Sequence, residues 1–252
     1  MLKTRVIPSL LLKNGGLVKT IKFGLPKYVG DPINAIKIFN DKEVDELVIL
    51  DIEASKNSKG IDYDLLARIN KEAFMPLGYG GGIKNAQEAK RIFSLGYEKI
   101  VLNYGAMVNP KLISDIADIS GSQSTVVCID VKKNLFGKYF VYNHVINKLT
   151  DLNPLDYVRE LEKLGAGELI IYSVDQDGTY KGYDLNLIKG ISESVNIPVV
   201  ALGGANSVED FAKAIKSGAS AVSAGSMFVF HGPHRAVLIT YPDKITLSRI
   251  FR

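Results

Sequence analysis

Short apolar runs alternate with longer stretches of helical period from one end of the chain to the other. The runs predict strands over Arg5–Leu11, Glu46–Asp51, Phe74–Tyr79, Lys99–Leu102, Thr125–Asp130, Glu168–Ser173, Pro198–Leu202 and Ala221–Ala224. They carry no polar face, as strands of a parallel sheet covered by helices require. The periodic stretches predict helices over Pro32–Phe39, Tyr63–Asn70, Ala86–Leu95, Lys111–Ile119, Pro154–Leu164, Leu185–Val195 and Val208–Lys216. Beyond Phe230 the pattern is irregular, Gly232-Pro233 interrupts it, and a short last helix is expected near Leu247. Eight such βα units close most economically into a (β/α)8 TIM barrel, a fold that takes roughly 250 residues.

A repeat organises this pattern. Shifted by about 122 positions, Pro76 falls on Pro198, Gly81-Gly82 on Gly203-Gly204, Gln87-Glu88 on Glu209-Asp210 and Gly96 on Gly218. The same offset carries Asp31-Pro32 onto Asn153-Pro154 and the run from Glu46 onto the run from Glu168. A slightly smaller one brings Leu10-Leu11-Leu12-Lys13 onto Ile129-Asp130-Val131-Lys132. A single domain over 1–252, built from two similar half-barrels of about 1–122 and 123–252, is the expected organisation. Each copy reads as strand, glycine turn and capped helix, with Asn85 and Ser207 at the N-cap positions. Glycine pairs let a ligand approach the backbone, and a helix start beyond them offers free N–H donors to phosphate. Two copies suggest a ligand with two phosphates, or two related phosphate sites, over the plainer reading of two tight barrel turns.

Composition narrows the classes. The chain is 46% hydrophobic and 23% charged, ordinary for a globular protein with a sizeable core. No apolar run approaches the ~18 residues of a membrane span, and Val6–Leu12 runs on into structured sequence rather than reading as a signal peptide. Cys128 is the single cysteine, set in a strand, which fits a reducing cytoplasm and no intrachain disulfide. The net charge is +4 with scattered lysines and no basic stripe, which argues against nucleic acid. His144, His231 and His234 lack metal-ligand spacing, so structural or solvent-facing roles are expected, with no metal and no cofactor.

Chemistry in such barrels sits at the C-terminal ends of the strands. The polar residues there are Asp51, Asn103, Asp130, Ser173, Asp175, Asp177 and Ser226. Asp130 closes an apolar strand, where it reads either as an acid/base group or as a loop anchor. Asp175-Gln-Asp177-Gly178-Thr179 reads as a loop-capping motif or as a mobile ligand-binding loop.

Arg5-Val-Ile-Pro, Gly30-Asp31-Pro32, Leu50-Asp51-Ile52-Glu53-Ala54-Ser55, Gly80-Gly81-Gly82-Ile83, Gly121-Ser122-Gln123, Ile129-Asp130, Asp175–Thr179 and Gly203-Gly204-Ala205 resemble one family over nearly the whole chain. It is the cyclase (HisF) subunit of imidazole glycerol phosphate synthase, a lyase of histidine biosynthesis that works with a glutaminase in a glutamine amidotransferase complex. A sister isomerase with the same doubled barrel matches less well around Asp175–Thr179. The resemblance implies a substrate with a phosphate at each end, one near Gly81, Gly82, Asn103 and Tyr104, the other near Asp177, Gly178, Gly203, Gly204, Gly225 and Ser226. It places Lys19 near the active-site loop, and Asp51 also stands among its candidate substrate or loop residues. It further implies a HisH-type glutaminase docked on the N-terminal face, with ammonia gated at the barrel entrance by Arg5, Glu46, Lys99 and Glu168. Each of these four directly opens an apolar strand, so an ordinary solvated rim is the alternative.

One position departs from the family. The family uses two aspartates, at the ends of strands one and five; Asp130 is present, but Leu11 stands at the other place. A leucine moves no proton, and a lost acid/base partner typically costs roughly 10²–10⁴ in rate. The pattern resembles a branch of the family found in surface-polysaccharide pathways, where barrel and glutaminase feed ammonia to a third, sugar-amidating protein. That likeness rests on Leu10–Gly15 and Leu17–Phe23. An active cyclase and a non-catalytic scaffold that binds a phosphorylated ligand are the alternatives.

Overall fold

The computed structural model describes residues 4–57 and 60–251. Eight parallel strands form a wall: β1 (Arg5–Lys13), β2 (Leu47–Asp51), β3 (Leu77–Gly80), β4 (Lys99–Leu102), β5 (Thr125–Lys133), β6 (Glu168–Ser173), β7 (Val199–Leu202) and β8 (Ala221–Ala224). Each pairs with the next, and Arg5–Pro8 lie in register with Ala221–Ala224, which closes the sheet. Outside run α1 (Pro32–Asp41), α2 (Tyr63–Glu72), α3 (Ala86–Ser94), α4 (Lys111–Ser120), α5 (Pro154–Lys163), α6 (Leu185–Ser192), α7 (Val208–Lys216) and α8 (Lys244–Ile250). This is a (β/α)8 TIM barrel. Among the described residues, no helix is long and apolar enough to cross a membrane.

Local chemistry starts the helices. Asp31, Asp62, Asn85, Asn153 and Asp184 each accept from a backbone N–H of the first turn. At α7 the Asp210 carboxylate reaches back to the N–H of Ser207 at 3.3 Å. Pro32 and Pro154 open α1 and α5 where a missing N–H costs nothing.

Side chains alternate across each strand, so inward positions recur every second residue. Ile7, Val48, Val101, Val126, Cys128, Ile170, Tyr172, Val200, Leu202 and Ala221 form one buried cluster inside the barrel. The larger cluster packs the outer face of the wall against the helices. Along β1, β2, β4 and β6 the inward set therefore begins with a charge at the base and continues with apolar side chains.

Several boundaries differ from the sequence pattern. β3 begins at Leu77 rather than Phe74, because Pro76 has no ladder donor and Phe74 is 90% exposed. β1 and β5 run on to Lys13 and Lys133, each folding back as an antiparallel hairpin, with Gly16–Lys19 and Tyr139–Asn143 respectively. The first hairpin turns on Asn14 and Gly15, both in the left-handed region that such two-residue turns demand. These hairpins stand at equivalent places in the two halves, above the mouth of the barrel.

Candidate active site

At the base, Arg5 from β1 bridges Glu46 and Glu168, one guanidinium nitrogen to each. Lys99 from β4 closes the circuit, 3.0 Å from Glu46 Oε1 and 2.6 Å from Glu168 Oε2. Both glutamates are buried, and two positive and two negative charges sum to zero. Burial works against the Arg5 charge, yet Glu168 and Glu46 outweigh it and hold the guanidinium above its ordinary pKa. The four side chains form a contiguous ring beneath the apolar interior.

At the top, a cavity opens in two lobes that share Leu11 and Tyr172 as lining residues. Leu11 thus occupies the waist between them. The first lobe is bordered by Asp51, Gly81, Gly82, Asn103 and Tyr104. Gly82 sits at φ +72°, and a Cβ there would lie 2.8 Å from Ala54 Cβ, so packing as well as any ligand demands glycine. Asp51 Oδ1 accepts from the N–H groups of Glu53 and Ala54, which makes it the anchor of the loop after β2. On the floor of the lobe Asp130 Oδ2 accepts from Asn103 Nδ2 at 2.9 Å, and His144 Nδ1 stands 2.9 Å from the same oxygen. Just below, burial and the nearby Asp130 push the Cys128 thiol well up, which keeps it an inert thiol.

The second lobe is bordered by Lys19, Gly178, Gly203, Gly204, Gly225 and Ser226. Gly204 has φ +99°, and a Cβ there would meet Gly182 O at 2.2 Å. Asp177 also borders this lobe, but its carboxylate is fully engaged: Thr20 Oγ1 and Tyr172 Oη donate at 2.7 Å each, and Phe23 N at 3.2 Å. With three donors on it, the Asp177 carboxylate acts as a clamp at the edge of the lobe. It fastens the loop after the first hairpin to the loop after β6. Asp175 likewise accepts from Lys133 N at 2.9 Å and fastens the second hairpin. The segment therefore both caps loops and borders the second lobe. Phe23, clamped by Asp177, packs edge-on to Tyr172 at 4.9 Å and covers the barrel interior.

Lys19 is 6% exposed, its Nζ bonded to Ser9 O at 2.6 Å beside Gly225. Burial pushes its pKa down to about 8, with Asp177 pulling the other way, against an ordinary 10.5. Between those values the unfolded chain binds a proton that the folded chain has released, so stability is expected to rise with pH from about 8 toward 9. The buried Cys128 thiol opposes this above its ordinary value of 9.0, and the buried tyrosines above theirs of 10.0. Melting temperatures of the native protein and Lys19→Met across this range check the origin: the variant should lose the rise.

For His144 the sequence suggests only a structural or solvent-facing role. In the structure it lines the first lobe against Asp130, whereas His231 and His234 are exposed. The signal was tertiary, since the hairpin that returns it to Asp130 has no fixed register in the sequence. Among the described residues no His, Cys, Asp or Glu cluster suits a metal ion.

Comparison with known proteins places this geometry. A histidine biosynthesis protein family model matches residues 5–234. A Pseudomonas aeruginosa protein, provisionally named imidazole glycerol phosphate synthase subunit hisF2, is 51% identical over 244 residues, covering 96% of this chain and 97% of that one. Imidazole glycerol phosphate synthase subunit HisF of Petrotoga mobilis is 40% identical over 251 residues, covering 99% and 98%. The corresponding Thermococcus onnurineus subunit is 43% identical over 229 residues, covering 90% of each. The chain belongs to the histidine biosynthesis protein family, as a HisF-type imidazole glycerol phosphate synthase subunit.

Proposed function

We propose that this chain is the ammonia-receiving barrel of a cytoplasmic glutamine amidotransferase complex, with a HisH-type glutaminase seated on its N-terminal face. The observation that carries this reading is the Arg5–Glu46–Lys99–Glu168 ring beneath an apolar interior. Neutral ammonia enters an apolar shaft readily, whereas ammonium would forfeit its hydration there. A self-neutralising ring of ion pairs is suited to holding the entrance shut until a partner docks. The upper cavity takes a phosphorylated small molecule, its two ends held by backbone groups around Gly81-Gly82 with Asn103-Tyr104, and around Gly203-Gly204 with Gly225-Ser226. Two half-barrels, about 1–122 and 123–252, each contribute one such end.

Leu11 supports the finer assignment. With no proton-transferring side chain at the waist, efficient cyclisation is not what this barrel is built for. The ammonia goes instead to a third, sugar-amidating protein of surface-polysaccharide biosynthesis. Purified barrel and a HisH-type glutaminase are expected to form a stable complex, and a sugar-amidating enzyme supplied with glutamine should need both. Amidation from glutamine at full rate without the barrel would rule the assignment out. The contact between His144 and Asp130 favours a second reading, a slow imidazole glycerol phosphate synthase cyclase.

A further inference from the structure

The first lobe holds a histidine set on a buried carboxylate. Asp130 is 2% exposed, and its Oδ2 lies 2.9 Å from both Asn103 Nδ2 and His144 Nδ1. With Asp130 as the acceptor of this bond, His144 Nδ1 is its donor. That bond fixes the tautomer and leaves Nε2 as the basic atom of the ring. The turn that presents His144 is itself pinned. Asn143 Oδ1 accepts from the N–H groups of Val145 and Ile146 at 3.0 and 3.3 Å, and Tyr142 packs edge-on to Phe23. An imidazole held by its partner and by its own turn is positioned for proton transfer rather than left to solvent.

Several neighbouring groups are otherwise occupied. Lys13 is paired with Glu53 at 2.8 Å, Asp51 anchors its loop, burial keeps Cys128 protonated, and Tyr172 donates to Asp177. Leu11 adds nothing that can carry a proton.

We propose that His144 and Asp130 form the proton-exchanging pair of this cavity, serving a phosphorylated sugar derivative held between the two glycine turns. His144 Nε2 takes a C–H or N–H proton of the bound ligand, whose electron pair stays on the ligand. Asp130 offsets the charge of the imidazolium, and return of that proton completes the exchange with no oxidant or reductant involved. This rests on the reading of the upper cavity as a phosphorylated-ligand site, and is independent of which protein finally accepts ammonia.

The test uses the full-length protein, the histidine-pathway bisphosphate intermediate and saturating ammonium. Native protein is expected to turn it over slowly. His144→Gln should lower kcat by roughly 10²-fold or more while KM and the calorimetric Kd stay within about threefold. His144→Ala should regain part of the lost rate with added imidazole, which a purely structural role would not allow. His144→Gln with native kcat, or native protein that binds the bisphosphate without turning it over, overturns the pair. Failure to bind the bisphosphate at all overturns instead the ligand-site reading beneath it.

Discussion

Leu11→Asp is expected to raise ammonium-dependent turnover of the histidine-pathway bisphosphate by roughly 10²-fold or more over the native protein. The position determines the size of the effect. Leu11 is 4% exposed, borders both lobes of the cavity, and lies on β1 in register with Leu50 of β2. A carboxyl group there faces whatever part of a ligand spans the waist between the two glycine turns. Its partial burial should raise its pKa toward the range where a general acid or base works at neutral pH. Lys19, bonded nearby to Ser9 O, offers a positive charge that keeps the new acid from being stranded. Leu11→Asn is the control, with nearly the same shape and no titrating proton. It should bind the bisphosphate as Leu11→Asp does and stay near the native rate. If Leu11→Asp folds and binds without gaining rate, the leucine is not what limits the barrel, and divergence from cyclase chemistry must lie elsewhere in the cavity.

Much of this arrangement was legible in the sequence, for reasons visible in particular residues. Inward positions alternate along a strand, so a charge directly before an apolar run must stand at the base of the barrel. Arg5, Glu46, Lys99 and Glu168 meet there because four strands begin alike. Strand ends are equally legible: Asn103 and Asp130 both close apolar runs, and their side chains meet at 2.9 Å. Hairpins are not. Asn14-Gly15 is a strong two-residue turn signal, yet the run after it was short enough to pass as loop. The excursion from Asn134 to Leu149 carries no such signature, and it is what brings His144 back over Asp130. Asp177 shows a different limit. A motif gives residue type and place, but only coordinates reveal that three donors already occupy its carboxylate.

Lys99→Met is expected to uncouple glutamine hydrolysis from ammonia use. In the complex with a HisH-type glutaminase, the Leu11→Asp barrel supplies a readable sink for ammonia. Adding Lys99→Met should lower product formed per glutamine hydrolysed several-fold or more. Turnover driven by external ammonium should be unchanged, because the substitution lies at the base and the reaction at the top. Lys99 touches both buried glutamates, and without it Arg5 alone must offset two negative charges. Breaking a buried ion-pair network by removing one partner costs about 3–5 kcal/mol, discounted here because the Lys99 side chain keeps 18% exposure. A fall in melting temperature is therefore expected in either case and says nothing about ammonia. The two readouts separate the roles: a ring that only stabilises the base would lower stability while glutamine-derived and external ammonia are used equally well. A ring on the ammonia route would spoil the first supply and spare the second. Equal use of both supplies would leave the four charges as a structural rim, and the route for ammonia would have to run outside the barrel.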